Sequence, residues 1–431
     1  AMNDSTNMTI FSDNMLQNLF LLPYSHRISC DSTEAHALLR ASRIFRRLHD
    51  LEVSIHPILI QMEERGLLLS YSWFEDGMQS TREALNQITN EIGGYVPIKA
   101  NFFNEEDIVY FLKENNLPVA TGMKDLQKYR EFHRLYKLLL IYKAKTQFYQ
   151  QWGNTLLING TQCTNGVLLK GHWQSYVSYS GRIFAKQLPL TSLPKEMRSY
   201  FVAPEGYKIL SLDLSNAELR FLAYYSRCDA MLDLLNNRQD IHQLTGDLIS
   251  TNLESRELCD ANMARSLGKV YAFSMLYGAG VGTIVKNFRK LLPSVTSADV
   301  SRITAAFQSA YPELQSFTDQ QERSDKLLTP FGEIRPLAKF TPTQKRNFGL
   351  QSSVAVAIKI LMVVASKYFR VIHVVHDEIW IHAPARGQPE SGQLDEMMIA
   401  YEKQILKLFP GFPVKGLLNV EEIGGNNHVK K

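Results

Sequence analysis

Two stretches of the chain carry long apolar runs interrupted by acids. YKILSLDLS (207–215), bounded by Gly206, is apolar at most positions and places Asp213 near its end. A run of this kind predicts a buried strand, and NAELRFLAYYS directly after it predicts a helix. VIHVVHDEIWIH (371–382) is two apolar runs meeting at His376, Asp377 and Glu378, which predicts a β-hairpin with its acids at the tip.

Elsewhere the apolar spacing is mostly helical. Residues 32–66 read as a helix with Ser32 as N-cap and Gly66 as stop, Pro57 marking a break or a new first turn. Residues 72–92 read as a second helix, and NFFNEEDIVYFLKENNLP, from Asn101, as a short capped one. From about residue 160 to 204, glycine, serine and proline punctuate short strand-like runs. Helices dominate again from about residue 240 to 368, with turns near 278–282 and at TPFGEIRP (329–336). The segment 121–150 also reads as helix. It carries seven Lys/Arg against two acids, interleaved with Tyr129, Phe132, Tyr136, Tyr142 and Tyr149. Two readings stand for it: a face that follows a nucleic-acid backbone, or a solvated basic face over an aromatic core stripe.

Composition bounds the class. A chain of 431 residues, 45% hydrophobic, buries a large core and has room for two or three domains. The formal charge of +4 permits a polyanionic partner without requiring one. Cys30, Cys163, Cys228 and Cys259 lie far apart with no CxxC pair, which predicts a reducing compartment and no structural zinc. No apolar run reaches a membrane span and AMNDSTNM lacks the regions of a signal peptide, so no membrane role and a cytoplasmic location are expected.

The candidate chemistry starts with Asp213 and Asp377. An acid at the end of an apolar strand is costly unless a cation or donor meets it. Two such carboxylates brought side by side can hold hard cations about 4 Å apart, the clamp used in phosphoryl transfer. Taken singly, Asp213 also reads as part of a helix N-cap region and Asp377 as a turn acid. Ser215 and Glu218 have the spacing of a capping box, which would make Glu218 a local structural residue. In RSLGKVYAFSMLYG (265–278), Arg265, Lys269, Phe273 and Tyr277 recur every four residues. Each step drifts by about 40°, giving a stripe about 18 Å long, with Leu267, Val270, Tyr271 and Leu276 left for packing. Cations at one end and flat rings at the other suit a ligand with phosphates and an aromatic base. Solvated cations with two core aromatics is the competing reading.

Together, DLSNAELR (213–220), RSLGKVYAFSMLYG and VHDE (375–378), in this order across roughly 165 residues, resemble the three motifs of family A DNA polymerases. SGRIFAKQLPLTSLP (180–194), FVAPEGYKILSLDLS, QDIHQLTG (239–246) and RNFGLQSSVAVAIK (346–359) are similar to further segments of that family, and the resemblance runs from about residue 48 to the end. It implies an α+β, right-hand polymerase fold: a palm with an antiparallel sheet, helical fingers and a helical thumb. The expected divisions are an extension with a relic exonuclease helix (1–50), a helix leading into the palm (51–70), a shortened thumb (71–165), palm (166–240), fingers (241–345) and palm again (346–431).

The resemblance also implies roles. Asp213 and Asp377, with the backbone carbonyl of Leu214, would bind two Mg2+ ions, Mn2+ being able to substitute, with Glu378 nearby but less central. Arg265 and Lys269 would hold the incoming triphosphate together with His242, Lys269 also serving as the acid toward pyrophosphate. Phe273 would stack on the nucleotide, Tyr277 would shape the insertion pocket, and Glu218 would reject a 2′-hydroxyl. Arg182, Asn347 and Gln351 would probe the minor groove of the nascent pair, and His376 would lie near the primer terminus. The implied partners are primer-template DNA, dNTPs and, given the small size, an accessory protein.

Several residues depart from the family's usual pattern: Leu214, Asn216 and Ala217, the pair Thr191-Ser192, and the pair Ser352-Ser353. They touch the expected template grip and fidelity and leave the metal and triphosphate residues intact. Only about 47 residues precede the polymerase-like region, which predicts neither 3′→5′ proofreading nor 5′ nuclease, and the short thumb predicts low processivity. Two other functions remain open on the sequence: a primase-polymerase that starts chains de novo, and a non-catalytic DNA-binding scaffold.

Overall fold

A computed structural model of the chain describes residues 43–95, 104–175, 178–254, 260–334, 339–385 and 389–424. In chain order its elements are α1 (Arg43–Arg65), β1 (Leu67–Ser70), α2 (Gln79–Gly93), α3 (Glu105–Glu114), α4 (Met123–Tyr129), α5 (Arg134–Tyr149) and α6 (Thr155–Asn159). Then come β2 (Thr161–Cys163), β3 (Gly166–Leu169), β4 (His172–Gln174), β5 (Phe184–Lys186), β6 (Phe201–Val202) and β7 (Tyr207–Leu214). These are followed by α7 (Ala217–Ser226), α8 (Asp229–Asn236), α9 (Ile241–Asn252), α10 (Ala261–Leu276), α11 (Val281–Phe288), α12 (Ser297–Ala310) and α13 (Pro312–Arg323). The hairpin β8 (Leu327–Thr329) and β9 (Gly332–Ile334), α14 (Pro342–Ala365), β10 (Arg370–Val375), β11 (Glu378–Pro384), α15 (Pro389–Leu408) and β12 (Leu418–Ile423) complete it.

The chain divides into two compact units. One comprises the described residues within Arg65–Gly171, Leu193–Pro204 and Ile423–Lys431. Its sheet has the order β2-β3-β1-β6, and its helices α2 to α5 share a core of Leu85, Ile92, Phe111, Leu135, Tyr136 and Tyr142. The tyrosines of the basic segment are therefore mainly core residues. Its cations largely find surface partners, Arg134 with Glu91 at 2.5 Å and Lys137 with Glu131 at 2.8 Å. The solvated-face reading of that segment is the one the geometry favours.

The other unit comprises the described residues within Ala1–Glu64, His172–Ser192 and Glu205–Glu422. Its sheet has the order β10-β11-β7-β12, and β11 pairs antiparallel with both β10 and β7. The apolar helix α14 packs on β10, β11 and α15 and is buried along most of its length. Inside this unit Lys359 of α14 meets Glu52 of α1, both almost fully buried (1% and 2% exposed). Burial pushes the Lys359 ammonium down and Glu52 opposes that shift. Removing one partner of such a pair costs about 3–5 kcal/mol, because the other charge is left unpaired.

Close approach of two helices shapes the rest of this unit. α9 and α10 pack backbone to backbone: a Cβ on Gly268 would lie 2.1 Å from the carbonyl oxygen of His242, and one on Gly246 would lie 2.2 Å from that of Ala264. Without side chains at these two positions, the start of α9 is seated directly against the face of α10.

Local expectations differ from the structure in several places. α1 runs through Pro57 without ending, held by buried Ile55, Ile58, Leu59 and Met62 on both sides of it. The expected helix over 72–92 begins as a π-helical turn, Trp73–Gly77, because the Trp73 indole turns inward to donate to the carbonyl of Trp152. The segment 121–150 is two helices, parted where His133 accepts from the Leu135 amide and caps the second. α3 starts after Asn104, in a full capping box with Asp107. Contrary to expectation, α14 is long and apolar enough to cross a membrane, but 83% of its most apolar window is buried inside the protein, so it is a core helix. Cys163 and Cys228 are free thiols. Residues 1–42, with Cys30, and Cys259 lie outside the described residues.

Gly268→Ala forces α9 and α10 apart and is expected to lower the unfolding free energy by about 1–3 kcal/mol in urea titration. Gly282→Ala, on α11 with open space around it, is expected to leave stability unchanged or raise it by up to about 1 kcal/mol.

Candidate active site

The acids of the two apolar runs meet at one end of the sheet. β7 and β11 pair with Asp213 opposite Glu378 and Ser211 opposite Trp380, so these four side chains share a face. β10 turns into β11 through His376 and Asp377 alone, with His376 left-handed at φ 53°. Histidine is among the few residues that occupy this region with some frequency, and such positions cluster at functional sites. The amide of Leu214 donates to the carbonyl of Asp377 at 2.9 Å, which ties the turn to the end of β7. Asp213 and Asp377 are thereby neighbours, each partly exposed above the buried Leu212 and Ile379.

The three acids do different things. Burial holds the Asp377 carboxyl above the usual carboxylate range, and Glu378 adds to this, while its own amide, His376 and Arg182 oppose it. Glu378 is buried and accepts from the Ser211 hydroxyl and the Trp380 indole. Its carboxylate is thus turned back along the sheet, away from the turn.

Glu218 does not act as a capping residue. The N-cap of α7 is Asn216, left-handed at φ 53°, and it makes no side-chain cap bond. Instead Glu218 accepts from Arg182 at 2.9 Å and bonds the Tyr277 hydroxyl. Burial raises the Glu218 carboxyl above its ordinary range; Arg182 counters this and Asp377 reinforces it. Burial and the nearby Glu218 carboxylate also raise the Tyr277 phenol. Tyr179, which sequence reasoning missed, is raised chiefly by burial and is also influenced by this Arg182–Glu218 pair.

The four-residue stripe is real. Arg265, Lys269, Phe273 and Tyr277 are all exposed, the two rings at 44% and 41%, while Leu267, Gly268, Tyr271, Ser274 and Leu276 are buried on the other side of α10. Val270, expected in the packing, is only partly buried. The reading of Phe273 and Tyr277 as core aromatics is thus overturned. Beside the stripe, Arg265 donates to Asp240 at 2.7 Å, and Asp240 also caps α9 by accepting from the Gln243 amide. The His242 ring stacks near Phe273, centroids 6.5 Å apart, and its Nδ1 is buried without a hydrogen bond. Burial depresses its basicity, with Lys269 and Arg265 adding to the effect against Asp240.

Asn347 and Gln351 lie about one turn apart on α14, both buried. The departures Ser352 and Ser353 bond the carbonyl of Gly349, and Ser353 also meets the Tyr225 hydroxyl at 2.7 Å. Arg220, also missed, is buried, so its guanidinium falls to about 10, and it donates to the carbonyls of Ser215, Pro413 and Gly416. This fixes the loop that follows β7.

The DNA polymerase family A model matches residues 74–408. The chain belongs to DNA polymerase family A. It is 22% identical over 396 residues to DNA polymerase I of Borreliella burgdorferi, covering 84% of this chain and 42% of that protein. To the thermostable DNA polymerase I of Thermus caldophilus it is 22% identical over 413 residues, covering 84% and 48%. The chain therefore spans less than half the length of these relatives. Among solved structures, the POL domain of Pol1 from M. smegmatis in complex with DNA primer-template and dNTP is similar with a TM-score of 0.70 at 17% identity, covering 91% of this chain and 73% of that one. The right-hand polymerase fold expected from the sequence is thus borne out.

Family A polymerases are metal-dependent, and the donor set at the sheet end fits a hard cation. No cluster of three or more His, Cys, Asp or Glu side chains forms a metal cage among the described residues. Two carboxylates and a carbonyl suit Mg2+, which keeps waters and takes remaining ligands from substrate phosphates.

Asp377 and Glu378 should respond oppositely to removal of charge. Because Asp377 has a folded value above its unfolded one, its ionisation costs stability that is absent at low pH and grows as pH rises through the folded value. Asp377→Asn is expected to hold or raise the melting temperature at pH 7 without metal. Glu378→Ala removes the buried acceptor of the Ser211 hydroxyl and the Trp380 indole and is expected to cost about 2 kcal/mol.

Proposed function

We propose that this chain is a template-directed DNA polymerase that adds dNTPs to a primer 3′ end by two-metal phosphoryl transfer. The observation that carries the reading is the Leu214–Asp377 backbone bond, which sets Asp213 and Asp377 side by side at the end of the sheet in the unit that also carries the α10 stripe. Primer-template DNA and dNTP, held by the similar M. smegmatis domain, are the partners proposed here.

Asp213, Asp377 and the Leu214 carbonyl would hold the Mg2+ pair, whose chemistry when bound is to activate the attacking hydroxyl and neutralise charge on the triphosphate. Arg265 and Lys269 supply fork and point charge to the phosphates, and His242, kept neutral by burial, presents a hydrogen-bonding edge beside them. Lys269 stands to give its Nζ proton to the departing pyrophosphate. Phe273 stacks against the nucleotide, while Glu218, tied to Arg182 and Tyr277, closes the space under the sugar where a 2′-hydroxyl would sit. Arg182, Asn347 and Gln351 face the minor groove of the nascent pair and His376 the primer end. Glu378, held by Ser211 and Trp380, supports the turn and is not a ligand. In this reading the sheet β10-β11-β7-β12 with α14 is palm, α9 to α13 are fingers, and α2 to α5 are thumb.

A scaffold that binds DNA without chemistry has no use for this combination of carboxylates and cations. Extension of a labelled primer on single-stranded DNA with dNTPs and Mg2+ tests the reading: wild type extends and Asp377→Ala loses at least about 10³-fold, the scale on which removal of a key charge-stabilising group acts. A folded wild type that leaves the primer unextended overturns it.

Two further outcomes follow from the nucleotide face. Phe273 has no hydroxyl to replace a missing 3′-OH contact, so dideoxynucleotides are expected to be used poorly, and equal use would remove that role. Glu218→Ala is expected to increase ribonucleotide insertion in the same assay, and unchanged selectivity would remove the role of Glu218.

A further inference from the structure

A residue that the reaction itself does not require lies against the C-terminal end of α10. Gly278, left-handed at φ 67°, turns the chain out of the helix, its amide bonding the carbonyl of Met275 at 3.0 Å and the Ala279 amide bonding that of Ser274 at 2.9 Å. A Cβ on Gly278 would lie 2.8 Å from Nη1 of Arg346, so the guanidinium occupies the space beside this turn. There it faces the negative end of the helix dipole. Arg346 belongs to α14, one residue before Asn347, and its Nη2 is anchored on α13 by Glu322 at 2.8 Å, with Asp319 at 3.8 Å. Its side chain is only 13% exposed and its Nε is buried without a hydrogen bond. A buried, incompletely satisfied donor costs stability, so stability alone does not account for the group.

The back of α10 gives this tie its importance. Tyr271, Met275 and Gly278 line a cavity of about 180 Å³ with Phe307, Tyr311 and Arg346. Close packing, which elsewhere fixes a helix to a fraction of an ångström, is therefore interrupted behind the segment that carries Phe273 and Tyr277. There the Arg346 guanidinium, anchored by Glu322, packs against the Gly278 turn. Tyr277 is the residue next to Gly278, and its hydroxyl bonds Glu218.

We propose that Arg346 is a positioning residue that fixes the C-terminal end of α10 and thereby sets the selectivity of nucleotide insertion. It acts through Tyr277 and Phe273 and touches neither metal nor triphosphate. The inference rests on the polymerase reading above.

The test compares wild type with Arg346→Met, Arg346→Lys and Glu322→Gln in single-nucleotide insertion. Arg346→Met is expected to raise the dNTP KM and to lower the preference for dNTP over rNTP and for correct over incorrect nucleotide, each by about tenfold, because misplacing a positioning group by an ångström has effects of this size or larger. The kcat for the correct nucleotide stays within about twofold, since only the positioning is touched. Arg346→Lys keeps the charge but loses the fork and falls between. A lowered melting temperature with unchanged selectivity in these variants overturns the proposal. If Arg346→Met fails to fold, Glu322→Gln, which takes the charge from the anchor and leaves Arg346 in place, decides on the same criteria. Hydrogen exchange separates the two readings: the amides of residues 277–279 should exchange faster in Glu322→Gln whether or not the protein extends primers. Unchanged exchange there overturns the positioning role, whereas absence of extension by wild type overturns only the polymerase reading.

Discussion

A carboxylate held in a partly desolvated place resists ionising, and burial raises the Asp377 carboxyl in this way. The arrangement of Asp213 and Asp377 persists because the chain elsewhere leaves them no alternative. A slip of one residue would move every side chain of β7 or β11 to the opposite face of the sheet, and both faces are packed, so the apolar runs on either side of each acid fix the register. The bond from the Leu214 amide to the Asp377 carbonyl then locks the turn onto the strand end. α14 backs the sheet, and the buried Lys359–Glu52 pair fixes α1 against α14. The strain is local and the support is spread over many residues, as expected where a site needs charges that the fold alone would avoid.

The exposed stripe of α10, the proposed nucleotide face, is built by a different device. Two glycines let α9 and α10 approach backbone to backbone, which brings Asp240 and His242 beside Arg265, Lys269 and Phe273. Asp240 then serves both as a helix cap and as a partner for Arg265, so the fork of Arg265 is oriented before any ligand arrives. That pairing is exposed and weak, which suits the proposed role, in which Arg265 exchanges an aspartate for a phosphate. Glu218 is handled in the opposite way: it is largely buried and held by Arg182 and Tyr277, which fits the excluding role proposed for it.

Much of this was legible in the sequence because it depends on short-range periodicity. The strand ending in Asp213, the hairpin tip and the stripe on α10 all follow from spacing of two or four residues. What was not legible depends on contacts between distant segments. The capping-box spacing of Ser215 and Glu218 was satisfied in sequence, yet Glu218 turns to Arg182, 36 residues earlier. Pro57 suggested a break, but burial on both sides of it outweighed the lost hydrogen bond. The basic segment split at His133 because a capping bond there is available to the side chain. Ser211 and Trp380 do have a sequence signal: each lies two residues from an acid on a strand, and period-two spacing puts them on the same face.

In the proposed function Asp213 and Asp377 jointly hold the cations that act on an incoming triphosphate. Electron paramagnetic resonance of Mn2+ added to the protein with a dideoxy-terminated primer-template and the next dNTP reads this without turnover. The account predicts tight, dNTP-dependent Mn2+ binding by wild type that is lost in both Asp213→Asn and Asp377→Asn and kept in Glu378→Gln. Equal binding by wild type and the two aspartate variants would contradict it.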